Sequence, residues 1–266
     1  MNFLKRGLAP LTDRAWETIE EEAVRVLKAN LSGRHVVDLE GLLGFDVSAV
    51  NLGRLSPADQ TTEQGVHYGI RSVLPLVELR VPFELDVWEL DNLSRGADDP
   101  DVEALIQAAL KLAHFEEQAI YSGFPPGNIK GLAESKAHAP LTLGDDAARY
   151  PDIITRAMLM LNDEGVNGPY ALVLGPRPYR LLSGDASVYP LRQRVARLID
   201  GPILHTTAGD GGFLLSARGG DFQLTVGQDI SIGYDWHDQR KASLYLTESF
   251  TFRVLTPEAV VPLVMT

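Results

Sequence analysis

The chain has 266 residues, of which 45% are hydrophobic and 23% charged, with a formal net charge of −12 and no cysteine. This composition supports a sizeable core in one large domain or two smaller ones, and it excludes disulfides and thiolate metal sites. A polyanion is a poor partner for nucleic acid, whose phosphates call for clustered Lys and Arg, and no apolar run approaches the ~20 residues of a membrane span.

The N-terminus, MNFLKRGLAPL, has two basic residues and no long apolar region, so no secretory signal is expected and a cytoplasmic protein fits. Thr12 is the predicted cap of a first helix with Trp16, Ile19, Ala23, Val26, Leu27 and Leu31 at helical spacing and Gly33 as its stop. Glu17, Glu20, Glu21 and Glu22 form its solvated face, early in the helix where negative charge suits the macrodipole. His35 to Val47 reads as strand, a turn at Gly41–Gly44, then more strand. From Asn51 to Ser72 the pattern decays into polar, turn-prone residues, and a loop of this length tends to be functional.

Leu76 to Val87 alternates strictly, with Pro82 marking an edge strand or a local irregularity because it cannot donate to a ladder. Trp88 to Arg95 predicts a short helix or turn. Asp99 and Pro100 are read as the start of a long helix reaching Tyr121, with Val102, Leu105, Ile106, Ala109, Leu112, Ala113 and Ile120 on one stripe. Gly131 to Gly144 is a connector, and Asp152 to Glu164 a helix stopped by Gly165. Tyr170–Leu174 is apolar throughout, as in a strand buried on both faces. Short helices near Pro176–Leu182 and Leu191–Leu198 follow, then strands at Ile203–Thr206 and Phe213–Ala217.

The last third is the most patterned. Phe222, Leu224 and Val226 alternate with Gln223 and Thr225, so one face is expected to be apolar and the other wet. Gly227, Gln228 and Asp229 make a turn before the alternation resumes. Ser243 to Leu255 predicts a strand about twice the usual ~5–6 residues, with Leu244, Leu246, Phe250, Phe252 and Val254 in one phase and Tyr245, Thr247, Ser249, Thr251 and Arg253 in the other. Glu248 sits in the apolar phase. A buried carboxylate must be paired, so a structural ion pair or an intersubunit contact is expected there.

Little in the sequence points to catalysis. The six histidines form no HExxH or paired-ligand spacing, and His114 with Glu117 offers only one turn's worth of ligands. RGGD at Arg218–Asp221 lacks the Lys-Ser/Thr of a phosphate loop, so its glycines read as turn residues, and no GxSxG elbow occurs.

Several segments, in order, resemble the encapsulin shell proteins: NFLKRGLAPLTDRAW, LPLVELRVPFELDVWELDNLSRG, GVNGPYALVLG, RGGDFQLTVGQDISIGYDWHD and ESFTFRVLTPEA. The similarity spans nearly the whole chain. It implies an α+β fold of the tailed-phage major capsid protein type. A peripheral domain would hold residues 1–48, 73–132 and 222–255, an extended loop 49–72, and an axial domain 133–221 and 256–266. The resemblance further implies a non-enzymatic subunit that assembles with itself into an icosahedral nanocompartment in the cytoplasm. The shell would enclose a cargo enzyme, a ferritin-like protein or a dye-decolourising peroxidase, held by a C-terminal targeting peptide. A prophage major capsid protein is the alternative, and the net charge argues against its DNA-packing interior.

Site residues follow from the same resemblance. A cargo-peptide groove would be built from Leu8, Leu11, Ala15, Arg34, Asp38, Asp229 and Ile230, with Arg34 paired to Asp38 if the segment is only structural. No cofactor is required. Flavin binding in some family members is associated with a tryptophan placed like Trp88, which makes that residue a candidate stacking platform. The five-fold pore would be lined by Ser183, Gly184, Asp185, Ala186, Ser187 and Val188. Asp185 is the sole charge in that stretch, and symmetry would repeat it as a weakly cation-favouring ring. Asp185→Lys is expected to slow entry of ferrous iron into shells; an unchanged entry rate would show that the ring is no filter.

Overall fold

Thr12 caps the first helix, its hydroxyl accepting the Ala15 N–H at 3.3 Å, and α1 runs Asp13–Asn30. Ala15, Trp16, Ile19, Ala23, Val26 and Leu27 are its buried stripe. The computed structural model describes residues 3–57, 60–184 and 190–265. Gly33 does not stop α1. The helix is already closed at Leu31, and Gly33 opens a 3-10 turn, Gly33–His35. Its lack of a side chain serves a close approach instead, since a Cβ there would meet Ile120 at 2.7 Å.

The strand expected from His35 to Val47 is only β1 (Asp38–Glu40). Gly41 and Gly44 take positive φ and break the regular strand, although Leu43 and Gly44 still donate to the Val226 and Gly227 carbonyls at 3.1 and 3.0 Å, and Leu42, Leu43 and Phe45 stay exposed. The polar stretch that follows is an arm: β2 (Ala49–Leu55), β3 (Gln60–Thr61), β4 (His67–Tyr68) and β5 (Arg71–Pro75). β2 pairs antiparallel with β5, and β3 with β4.

β6 (Val77–Asp86) alternates as its sequence does, with Glu78, Arg80, Pro82, Glu84 and Asp86 exposed. Asp86 caps α2 (Val87–Arg95), accepting the Trp88 N–H at 2.7 Å. Asp99 and Pro100 do not begin the long helix. α3 is Glu103–Tyr121, and its first N–H is met by Asp101 at 3.2 Å. After β7 (Leu141–Leu143) come α4 (Tyr150–Asp163), β8 (Tyr170–Leu174), α5 (Pro176–Ser183), α6 (Leu191–Ile199), β9 (Ile203–His205) and β10 (Gly212–Ser216). The chain ends with β11 (Phe222–Val226), β12 (Ser231–His237), β13 (Lys241–Val254) and β14 (Val260–Met265).

Two larger sheets result. In one, β6 runs along β13 from Asp86↔Lys241 to Val77↔Phe250, while β12 and β11 share the other edge of β13 and β1 adds in parallel to β11. Among the described strands β6 pairs only with β13, so Pro82 stands on an edge. The other sheet has the order β7-β14-β10-β8-β9, with every residue of β8 buried.

The wet phase expected on β13 and β11 is not wet. Ala242 to Phe252 are buried in both phases, and Thr225 is buried as well. Tyr245 lies beneath the Arg80 guanidinium at 4.3 Å, and the Thr247 hydroxyl donates to the Leu79 carbonyl at 2.8 Å. Short hydroxyl side chains can therefore be covered by the long side chains and backbone of neighbouring strands.

Two cores share α3. Its N-terminal part, Leu105 to Ala113, packs with Trp16, Ile19, Phe83 and Leu244; Ala119, Ile120 and Tyr121 pack with Tyr150, Leu172, Leu214 and Phe250. Between those two stretches, Glu116 and Glu117 are wholly buried.

Candidate functional site

The arm has no core of its own. Leu55, Val66, Tyr68, Ile70 and Val73 are large apolar side chains left in solvent along it. An apolar surface of that extent on a hairpin marks a contact site rather than a folding element.

The N-terminal segment offers a smaller feature. Arg6, Gly7, Ala9, Leu11, Asp13, Trp16, Glu17 and Glu20 line an open cleft of about 370 Å³. Arg6 lies over the Trp16 ring at 4.2 Å and pairs with Glu20 at 2.5 Å. Three carboxylates against one guanidinium leave the cleft acidic. The segment is fixed to β12 by the Tyr234 N–H, which donates to the Leu4 carbonyl at 2.8 Å. Leu11 and Ile230 both pack half-buried on the core beneath α1 and α3. Leu8 projects into solvent, 60% exposed. Ala15 has no exposed surface, so it supports the cleft from below and cannot line it.

Arg34 is committed elsewhere than Asp38. Its Nε donates to Glu116 at 2.9 and 3.0 Å, its Nη2 to Glu116 at 2.6 Å and Glu248 at 2.5 Å, and its Nη1 to Asp229 at 2.9 Å. Burial alone would lower its pKa, yet these carboxylates hold it above the ordinary value. Asp38 accepts the Gly220 N–H at 2.6 Å and lines a separate cleft with Val36, Arg218 and Phe222. The structure thus unites Arg34, Asp229 and Ile230, sets Leu11 on the same core, and places Asp38 apart.

Glu248 has the ion pair its position demanded, with Arg34. What the sequence did not reveal is the second acid, Glu116, or the neighbouring pocket in which Glu117 accepts from Ser32, from the Gly33 N–H at 2.6 Å and from Thr206 at 2.9 Å. Burial raises the pKa of Glu117 against those donors. The signal was present: Glu116 and Glu117 fall on the stripe four residues after Leu112 and Ala113. His114 is exposed, so it forms no site with Glu117.

Trp88 stands at the start of α2 with 70% of its surface exposed, an open indole face. Ser183 ends α5 and Gly184 follows it, both exposed; Asp185, Ala186, Ser187 and Val188 lie outside the described residues. Exposed Arg180, Arg192 and Arg194 flank that segment. Gly219 and Gly220 take φ of 81° and 84° beside the Arg218–Asp221 pair, as turn glycines should. Among the described residues no group of His, Asp or Glu is arranged to hold a metal ion, and no helix is long and apolar enough to cross a membrane.

A family model described as "Encapsulating protein for peroxidase" matches residues 1–251. The chain is 46% identical over 270 residues to the type 1 encapsulin shell protein of Rhodospirillum rubrum, covering 99% of this chain and 96% of that protein. It is 42% identical to the type 1 encapsulin shell protein of Mycobacterium tuberculosis over 99% of each. In structure it is similar to the virus-like particle from Pyrococcus furiosus, with a TM-score of 0.64 and 18% identity over 94% of this chain and 99% of that one. It is also similar to the capsid of Myoviridae phage XM1, with a TM-score of 0.56 and 15% identity over 88% and 91%. The fold is therefore the capsid-type α+β fold that these particles share.

Proposed function

The chain belongs to the encapsulin shell-protein family, and from that premise we propose that it is the self-assembling, non-catalytic subunit of a closed icosahedral compartment in the cytoplasm. The observation behind this reading is the arm. A solvent-exposed hairpin with apolar side chains and no core of its own can bury those side chains against other copies of the chain. Heterologous contacts that close by symmetry give a finite shell. In this reading the first sheet with α1 and α3 is the peripheral domain, and the second sheet with α4, α5 and α6 the axial domain.

The cargo is an enzyme held by a short terminal peptide, a peroxidase or a ferritin-like protein, and the family model's own description names a peroxidase. The acidic cleft at Leu11 supports a peptide with aliphatic anchors and a basic residue. An extended peptide needs pockets for alternate side chains and polar groups to set its register. Leu11 in the cleft, with Ile230 on the same core outside it, supplies the first, and Asp13, Glu17 and Glu20 the second.

The test is co-purification of a peptide-tagged reporter with the shell. Leu11→Asp and Ile230→Asp shells are expected to load at least about tenfold less, the effect of losing one anchor worth ~2 kcal/mol. Normal loading by both variants, in intact particles, would place the groove elsewhere.

A further inference from the structure

Glu248 lies opposite Leu79 in the β6–β13 ladder, wholly buried. Its Oε1 accepts from Arg34 Nη2 at 2.5 Å, and no donor reaches its Oε2. Glu116, equally buried, accepts from the same Nη2 at 2.6 Å. Asp229 takes the remaining arm of the guanidinium but stays partly in solvent. One fixed positive charge thus faces two carboxylates with no exposed surface and a third that is partly exposed. Two ionised carboxylates sharing one guanidinium in a dry site would leave a buried charge without compensation.

We propose that Glu116, Glu248 and Arg34 form a proton-held latch, in which Glu248 keeps a proton at neutral pH and the junction loosens when that proton leaves. The latch joins four parts of the chain: the corner after α1, the middle of α3, the centre of β13, and the β11–β12 turn at Asp229. Burial and the adjacent Glu116 push the Glu248 carboxyl well above the usual range. The other titratable groups nearby, Glu117 and Tyr121 on α3, turn toward Ser32. On β6, Leu79 faces Glu248, and the adjacent Glu78 and Arg80 are exposed.

The sign follows from linkage. The folded chain keeps a proton that the unfolded chain releases near ~4.3, so the latch's contribution is complete below that pH and is lost as pH rises through the raised native value. Subunit stability therefore falls toward alkaline pH. This holds whether or not cargo binds beside Asp229.

The experiment uses assembled shells of the full chain. Infrared spectra at neutral pH should show a protonated, buried carboxylic acid that Glu248→Gln removes and Glu117→Gln leaves in place. The thermal midpoint of the parent should drop between neutral and alkaline pH. Glu248→Gln should remove roughly half of that drop or more, because its amide accepts from Arg34 and donates to Glu116 without titrating. Glu116→Gln, which leaves Glu248 as the one wholly buried carboxylate on Arg34 beside the part-exposed Asp229, should flatten the profile as well. If both variants fall in parallel with the parent, or the infrared band survives both, the latch is overturned.

Discussion

A chain lacking residues 57–65 is expected to fold and to fail to assemble. The excision removes β3 and the tip of the arm, whose described residues are all exposed. It leaves the β2–β5 ladder, in which Leu74 is the buried residue that ties the arm to the body. The subunit's two cores lose nothing, so far-ultraviolet circular dichroism and the thermal midpoint should stay close to the parent. What is lost is reach, roughly 15 Å at ~3.3 Å per residue on each side of the hairpin. With β3 gone, His67 and Tyr68 lose their ladder partners, and apolar side chains such as Val66 no longer stand at the end of a stiff arm. Each such side chain that a neighbouring copy would cover is worth ~1.5–3 kcal/mol at full burial, and a closed shell repeats the contact at every subunit. Light scattering and negative-stain microscopy should show monomers or small oligomers in place of large hollow particles. Particles of parental size from the shortened chain would remove the arm from the assembly mechanism.

Local periodicity foretold the elements that it controls. Strict alternation located β6, Pro82 left an edge or an irregularity of which the sheet order shows the edge, and the wholly apolar YALVL run located β8 with both faces covered. The misses have separate physical causes. Asp99–Pro100 is a good helix opening in isolation, but Asp101 is the residue whose carboxylate meets the first N–H of α3. The stretch after Asp38 has strand-like composition, yet two glycines with positive φ break its regular pairing while it stays hydrogen-bonded to Val226 and Gly227. Thr225 and Thr247 look like a wet face because alternation reports polarity, and in a sheet this long polarity and exposure part company.

The buried acids show the limit most clearly. Burial physics alone required a partner for Glu248, but the partner is 214 residues away in sequence, and only the fold can name it. The groove residues divide along the same line. Resemblance grouped Arg34 with Asp38, Asp229 and Ile230, whereas the geometry gives Arg34 to Glu116, Glu248 and Asp229, and Asp38 to the turn at Gly220.

Arg34→Ala is accordingly expected to be among the most damaging single substitutions in the chain, and through stability before function. It removes the one cation facing two wholly buried carboxylates, and breaking a buried pair in this way costs ~3–5 kcal/mol. Against a total stability of ~5–15 kcal/mol, that should lower the thermal midpoint by about 6–20 °C. Arg34→Lys keeps the charge but cannot span Glu116, Glu248 and Asp229 at once, so it should recover only part of the loss. Arg34→Ala combined with Glu116→Gln and Glu248→Gln removes every full charge at the junction except the part-exposed Asp229 and should recover more than Lys does. A single Arg34→Ala variant within about 1 kcal/mol of the parent in denaturant unfolding would show that the junction is not a structural keystone. The triple variant also separates two roles for Arg34 in cargo loading. Reporter loading restored along with stability means that Arg34 acts on loading only through the stability of the subunit. Loading still absent in stable, assembled triple-variant shells means that the guanidinium itself meets the peptide.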